Sequence, residues 1–73
     1  MYANDVRKMT DEQILDAVED RRDAMFRLRF QEASGQLEDL NALRRTRRDL
    51  ARLLTILRER QLAAQRVQQE GNE

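Results

Sequence analysis

Ala33-Ser34-Gly35-Gln36-Leu37-Glu38-Asp39 is the one interior break in the helical pattern of this 73-residue chain. Proline is absent, and the other glycine stands at position 71. Glycine adopts the left-handed backbone just past a helix C-terminus without the penalty that a Cβ brings, so Gly35 ends a first helix. Leu37 and Glu38 lead to Asp39, whose carboxylate suits the N-cap of a second helix. So short a link leaves the two helices side by side and antiparallel.

Upstream of this break, Thr10-Asp11-Glu12-Gln13 has the form of a capping box, in which the Thr10 hydroxyl and the Gln13 side chain each satisfy the other's backbone N–H. Asp11 and Glu12 then fall in the first turn, where the helix dipole favours carboxylates. The first helix is therefore expected over about 10–34. Ile14, Leu15, Val18, Met25, Phe26, Leu28 and Ala33 give it one broad apolar stripe, with the phenylalanines on the packing helix. Arg22 and Arg29 interrupt that stripe. Their alkyl stems can lie along it with the charge paired across the interface, or the two can flank a binding surface. Residues 1–9 offer a short additional helical turn around Val6 and Met9.

Downstream, Leu43, Leu50, Leu57 and Ala64 repeat with a period of seven, and Leu53 and Leu54 fill the seam between them. Such a period favours a left-handed pairing at a shallow angle. The second helix is expected over about 39–65. Residues 66–73 are polar and read as a flexible, frayed tail behind a single hairpin domain, 1–65. The expected fold is all-α, a long antiparallel two-helix hairpin. Two helices of about 25 residues span about 37 Å each at 1.5 Å per residue, which makes a rod with little interior. A rod of this kind gains stability from a third helix, a second copy or a large surface to lie on.

Composition excludes much of chemistry. Histidine and cysteine are both absent, a single lysine is present, and no glycine-rich phosphate loop occurs. Disulfides, thiolate or imidazole metal ligands and the usual nucleophiles and bases are therefore missing from the sequence. Catalytic, metal-binding and cofactor-binding residues are expected to number none. Carboxylate pairs such as Asp11/Glu12 and Glu19/Asp20 are accounted for by solvation and the helix dipole. The small all-helical chorismate mutases resemble the chain in having long arginine-rich helices, but they need a third helix and a catalytic lysine, for which Lys8 is badly placed. No apolar run approaches a bilayer span, and the N-terminal residues lack a signal-type apolar stretch, so a soluble cytoplasmic protein with no membrane partner and no small-molecule substrate is expected.

The formal net charge is zero, yet the charges are not evenly spread. Residues 1–20 hold six acids against Arg7 and Lys8, a balance of −4. Residues 44–66 hold eight arginines against Asp49 and Glu59, a balance of +6. Five arginines, Arg44, Arg45, Arg47, Arg48 and Arg52, fall within nine residues. At about 100° per residue, Arg44, Arg45, Arg48 and Arg52 share one side of the helix and Leu43, Leu50, Leu54 and Leu57 the other, with Arg47 near the leucine seam. A stripe of guanidinium groups suits a polyanion, each neutralised phosphate releasing counterions. With the phenylalanines assigned to packing, recognition of folded RNA by shape suits the chain better than stacking on single strands. The same arginines could instead pair with Asp49 and with acids of the first helix on a solvated face. Composition alone leaves both readings open.

Three segments carry a resemblance: Leu28-Arg29-Phe30-Gln31, Ala33-Ser34-Gly35-Gln36-Leu37, and the run from Leu43 to Leu53. Together with Val6–Ile14, and in order and spacing, they resemble the large-subunit ribosomal protein twenty-nine family over roughly residues 6–60. The resemblance implies a helical hairpin without enzymatic activity that binds large-subunit ribosomal RNA near the polypeptide exit, beside ribosomal protein twenty-three and within reach of nascent-chain factors. It implies RNA contacts at Arg44, Arg47, Arg48 and Arg52; Arg45 joins them through the stripe. Gly35 and Gln36 match the family's turn, and Arg29 and Gln31 the end of its first helix, where Arg29 is either structural or RNA-contacting. Two departures stand out: ribosomal proteins are usually basic and this chain is neutral, and Leu40 stands where proline is common inside the second helix. The alternative is a helical-hairpin protein–protein interaction module that dimerises or docks through the leucine seam.

Overall fold

The computed structural model describes residues 2–71, with side chains through Val67. Three helices follow one another: α1 (Ala3–Arg7), α2 (Asp11–Ala33) and α3 (Leu40–Gly71). The molecule is a rod of 58 × 20 × 16 Å. The Arg21–Asp49 and Asp11–Arg60 ion pairs fix the sense of the hairpin, because the partner's number falls along α3 as the residue number rises along α2. The all-α antiparallel hairpin is thus present, with α1 as a third piece folded onto α3.

The caps form where the sequence places them. Thr10 Oγ1 accepts from the Gln13 amide at 3.1 Å, and Gln13 Oε1 accepts from the Thr10 amide at 2.9 Å. At the other end of α2, the Gln36 amide donates to the Gln31 carbonyl at 2.7 Å and the Gly35 amide to the Glu32 carbonyl at 3.2 Å, the paired bonds of a Schellman motif. Gly35 takes φ 76° to make that turn. Asp39 Oδ1 accepts from the Asn41 amide at 3.0 Å and so caps α3.

The core lies toward the α1 end, away from the turn. Val6, Ile14, Val18, Leu53 and Ile56 form it, with Met9, Ala17, Leu50 and Leu57 packed around. Val6 is fully buried, so the N-terminal helical turn completes a core that two helices alone would leave open. Arg60 fastens α1 in place: its Nη2 donates to the Arg7 carbonyl at 3.0 Å, and its Nη1 to Asp11 Oδ1 at 2.7 Å.

Three expectations are corrected. The seam on α3 is centred on Leu53 and Ile56; Leu54 is 37% exposed and Ala64 lies on the surface. The buried line runs through Thr46, Leu53 and Arg60 with Ile56 beside it, the same seven-residue period set three positions on from Leu43, Leu50 and Leu57, of which Leu50 and Leu57 pack against the core as partly buried neighbours. Secondly, Phe26 and Phe30 are 74% and 65% exposed, on the flank of α2 away from the buried Ile14, Val18 and Met25. Thirdly, α3 runs past residue 65 to Gly71, since nothing between 61 and 70 breaks a helix. Residues 72–73 of the expected tail lie outside the described residues. Because Arg60 already meets the first turn of α2, the helix from Gln61 onward extends beyond its partners, and every side chain from Gln61 to Val67 is exposed.

Candidate nucleic-acid interface

The arginine run forms two groups, one on each flank of α3. Arg45, Arg48 and Arg52 line one cleft of about 260 Å³ together with Tyr2 and Asp49. Arg44 and Arg47 line a second, of about 240 Å³, with Glu32, Leu40 and Leu43. Arg44, expected with Arg45 and Arg48, therefore shares its surroundings with Arg47. Helical projection accounts for this, since Arg44 sits on the ridge opposite the seam and its long side chain can lean to either flank.

The charges of the run are only partly matched. Arg45 Nη2 reaches Asp39 Oδ2 at 2.9 Å, and that hydrogen bond, the largest influence on the group, holds the Asp39 carboxyl below its ordinary pKa against desolvation in the other sense. Asp49 takes Arg21 Nε of α2 at 3.4 Å in a half-buried pair across the helix interface. Arg52 is half-buried and is engaged within the fold. Arg44, Arg47 and Arg48 are exposed and make no ion pair among the described residues. Pairing with acids thus takes up part of the run and leaves three guanidinium groups to solvent. Arg60, one of the eight basic residues of the +6 segment, is a fold clamp instead of a surface charge.

The residues expected at the turn are brought together in part. Gln31 and Gln36 line a cleft of about 410 Å³ with Phe26, Arg27 and Phe30. Gln31 also serves the turn through its backbone, because its carbonyl accepts from the Gln36 and Leu37 amides and from Ser34 Oγ. Gly35 is exposed, and a Cβ built on it would meet nothing within 4 Å, so the position needs glycine for its backbone conformation and not for space. Arg29 is exposed and borders neither arginine cleft. Arg22 is likewise exposed; its neighbour Arg21 is the one that crosses to α3.

Tyr2 was not among the expected site residues. It is 74% exposed and stands at the arginine cleft because α1 folds back along α3. No local pattern signals this, since positions 2 and 52 meet only through the packing of Val6 against Leu53 and Ile56. No described helix is long and apolar enough to cross a membrane.

Comparison with known proteins supplies the family. The sequence profile of the Ribosomal L29 protein matches residues 4–60. Large ribosomal subunit protein uL29 of Carboxydothermus hydrogenoformans is 41% identical over 68 residues, covering 93% of this chain and 99% of the relative. The protein of the same name from Persephonella marina is 44% identical over 63 residues, covering 86% and 93%, and that of Streptomyces griseus subsp. griseus 39% over 66 residues, covering 90% and 89%. With a hairpin, a glycine turn and an arginine run in that order, and relatives aligned over nearly their full lengths, the chain belongs to the ribosomal L29 protein family.

Proposed function

We propose that the chain is a structural, non-enzymatic component of the large ribosomal subunit in the cytoplasm, anchored to ribosomal RNA through the exposed arginines of α3. The observation that carries the reading is the gathering of Arg45, Arg48 and Arg52 around one cleft on an exposed flank, in a chain whose net charge is zero. A bulk electrostatic attraction is not available to such a chain, so affinity for RNA depends on where its arginines stand. Arg44 and Arg47 extend the contact along the other flank, and Arg29, Gln31, Gly35 and Gln36 bring the turn to the RNA.

In the family's position this surface lies near the polypeptide exit, beside ribosomal protein twenty-three and open to nascent-chain factors. Exposed Phe26 and Phe30 favour a protein neighbour on that flank of α2, because large apolar side chains left mostly open to solvent are suited to a partner. Dimerisation through the leucine seam is less suited to the fold, since Leu53 and Ile56 are already covered by α1 and α2.

Co-sedimentation with large subunits across a salt series tests the proposal. Four to six phosphate contacts give a log–log slope of roughly −3 to −5, at about −0.7 to −0.9 per contact. Replacement of Arg44, Arg45, Arg48 and Arg52 by glutamine is expected to abolish incorporation while the isolated hairpin stays helical by circular dichroism. Unchanged incorporation of that variant would sink the reading.

A further inference from the structure

We infer that Tyr2 and the Arg45–Arg48–Arg52 cleft form a site for one unstacked nucleotide of RNA, the ring of Tyr2 stacking on its base and the arginines holding its phosphate. The inference rests on the proposed role of the arginine run and adds to it a contact with a base.

Three features of the cleft lead there. Tyr2 is 74% exposed although it belongs to the short segment that anchors α1, where nearby Val6 is fully buried. A ring that contributes so little to packing is free to offer a face to a ligand, and every nucleobase has a π-face to match it. Next, Tyr2 and three arginines border the same concavity, which puts an aromatic residue and phosphate donors around one small space. Arg48 is exposed; Arg45 gives Asp39 one of the five N–H donors that a guanidinium carries, which leaves others for a phosphate.

The third feature is Asp49, which sets the orientation. Asp49 lines the cleft, and its carboxylate is held from the α2 side by Arg21 at 3.4 Å. A phosphate beside Asp49 meets repulsion, whereas a base does not, so the phosphate sits at the rim toward Arg45 and Arg48 and the base sits inward against Tyr2. At about 260 Å³ the cleft falls below the usual small-molecule pocket, which begins near roughly 300 Å³, and it is open to solvent. Its size suits a single base swung out of a folded RNA better than a free metabolite. The contact is local and compatible with recognition of the rest of the RNA by shape.

Tyr2 is the chain's one tyrosine, and tryptophan is absent, so tyrosine emission from the full chain reports on this site alone. The test titrates the full chain at low salt with polycytidylic acid and with inorganic polyphosphate, which supplies the charge without bases. Emission is corrected for absorption by the RNA, and affinities are taken from calorimetry. Both polymers are expected to bind the wild type, and polycytidylic acid alone to quench Tyr2. Tyr2→Leu is expected to weaken polycytidylic acid roughly 5- to 100-fold, the range that base–aromatic stacking covers, while polyphosphate affinity changes by less than about twofold. Tyr2→Phe should keep the wild-type affinity for both. Thermal unfolding of each variant checks that α1 remains docked; the exposure of the ring makes a large change in stability unexpected. Equal quenching by the two polymers, or an unchanged affinity of Tyr2→Leu for polycytidylic acid, overturns the inference and leaves the arginine reading standing. Failure of both polymers to bind the wild type, or full retention of both by the Arg45→Gln, Arg48→Gln double variant, overturns the arginine reading and this inference with it.

Discussion

Arg60 Nη1 stands 2.7 Å from Asp11 Oδ1, joining the first turn of α2 to a point well inside α3, while Nη2 of the same guanidinium donates to the Arg7 carbonyl at 3.0 Å. One planar side chain thereby links all three helices. It also supplies a positive charge and donors to the C-terminal end of α1, where carbonyls lack helical partners. α1 is only five residues long and could not persist alone. Its place against Leu53 and Ile56 depends on Val6 beneath it and Arg60 at its end.

The ion pair of Arg60 and its bonds to the α1 carbonyls of Val6 and Arg7 are unequal, and mutation separates them. Asp11 is 69% exposed, so solvent screens the ion pair and Asp11→Asn should cost no more than about 1 kcal/mol. Arg60→Ala also removes the donor to the Arg7 carbonyl and should cost about 1–3 kcal/mol. Urea unfolding followed by circular dichroism measures both, and equal losses would mean that the ion pair alone matters.

Leu53 and Leu54 are neighbours in sequence and opposites in the fold. Leu53 is fully buried and Leu54 is 37% exposed. Leu53→Ala is expected to destabilise by about 2–5 kcal/mol through lost burial and the cavity left behind, and Leu54→Ala by less than about 1 kcal/mol. The reverse order in thermal or urea unfolding would contradict the seam described above.

Asp39 gives the stability of the turn end an acid limit. The hydrogen bond from Arg45 comes first among the causes that lower its carboxyl, and the bond from the Asn41 amide adds to it. A group whose folded pKa is depressed binds fewer protons folded than unfolded, so stability rises with pH across that window. The contribution is complete above the ordinary value of 3.8 and disappears as the pH falls through the lowered value. The difference in thermal midpoint between wild type and Asp39→Asn should therefore be larger at pH 7 than at strongly acid pH, with the same trend for Arg45→Gln. A difference independent of pH would rule out a role for this carboxylate.

Gly35→Ala isolates the backbone demand of the turn. Nothing stands within 4 Å of a Cβ there, so any loss comes from holding φ near 76°. The expected cost is about 1–2 kcal/mol, with Gly35→Asn costing less because asparagine tolerates the left-handed region better. A neutral alanine variant in urea unfolding would show that the turn relaxes to another conformation.

Much of the fold follows from bonds between residues close in sequence, and those were legible. The Thr10/Gln13 box, the Gly35 turn and the Asp39 cap each close within a few positions, and a helix needs little more than the absence of breakers between them. The clustering of arginines on α3 was legible for the same reason. The rotation of each helix about its axis was not. A residue advances about 100° around a helix, so a small error in the buried direction moves a side chain from seam to flank. That is why the sequence pattern points Leu54 to the seam and Phe26 and Phe30 to packing, while Ile56 takes the buried place.

The sequence by itself determined the two long helices, the capped ends that flank the antiparallel turn and the uneven charge, because these depend on backbone hydrogen bonds and capping groups a few residues apart. Tertiary structure alone decided that α1 closes the core, that Arg60 is a clamp while Arg48 stays exposed, and that Tyr2 shares a cleft with Arg45, Arg48 and Arg52. Those relationships join residues some fifty positions apart. Their cause is the burial of Val6 against Leu53 and Ile56, an apolar contact that sequence spacing does not encode.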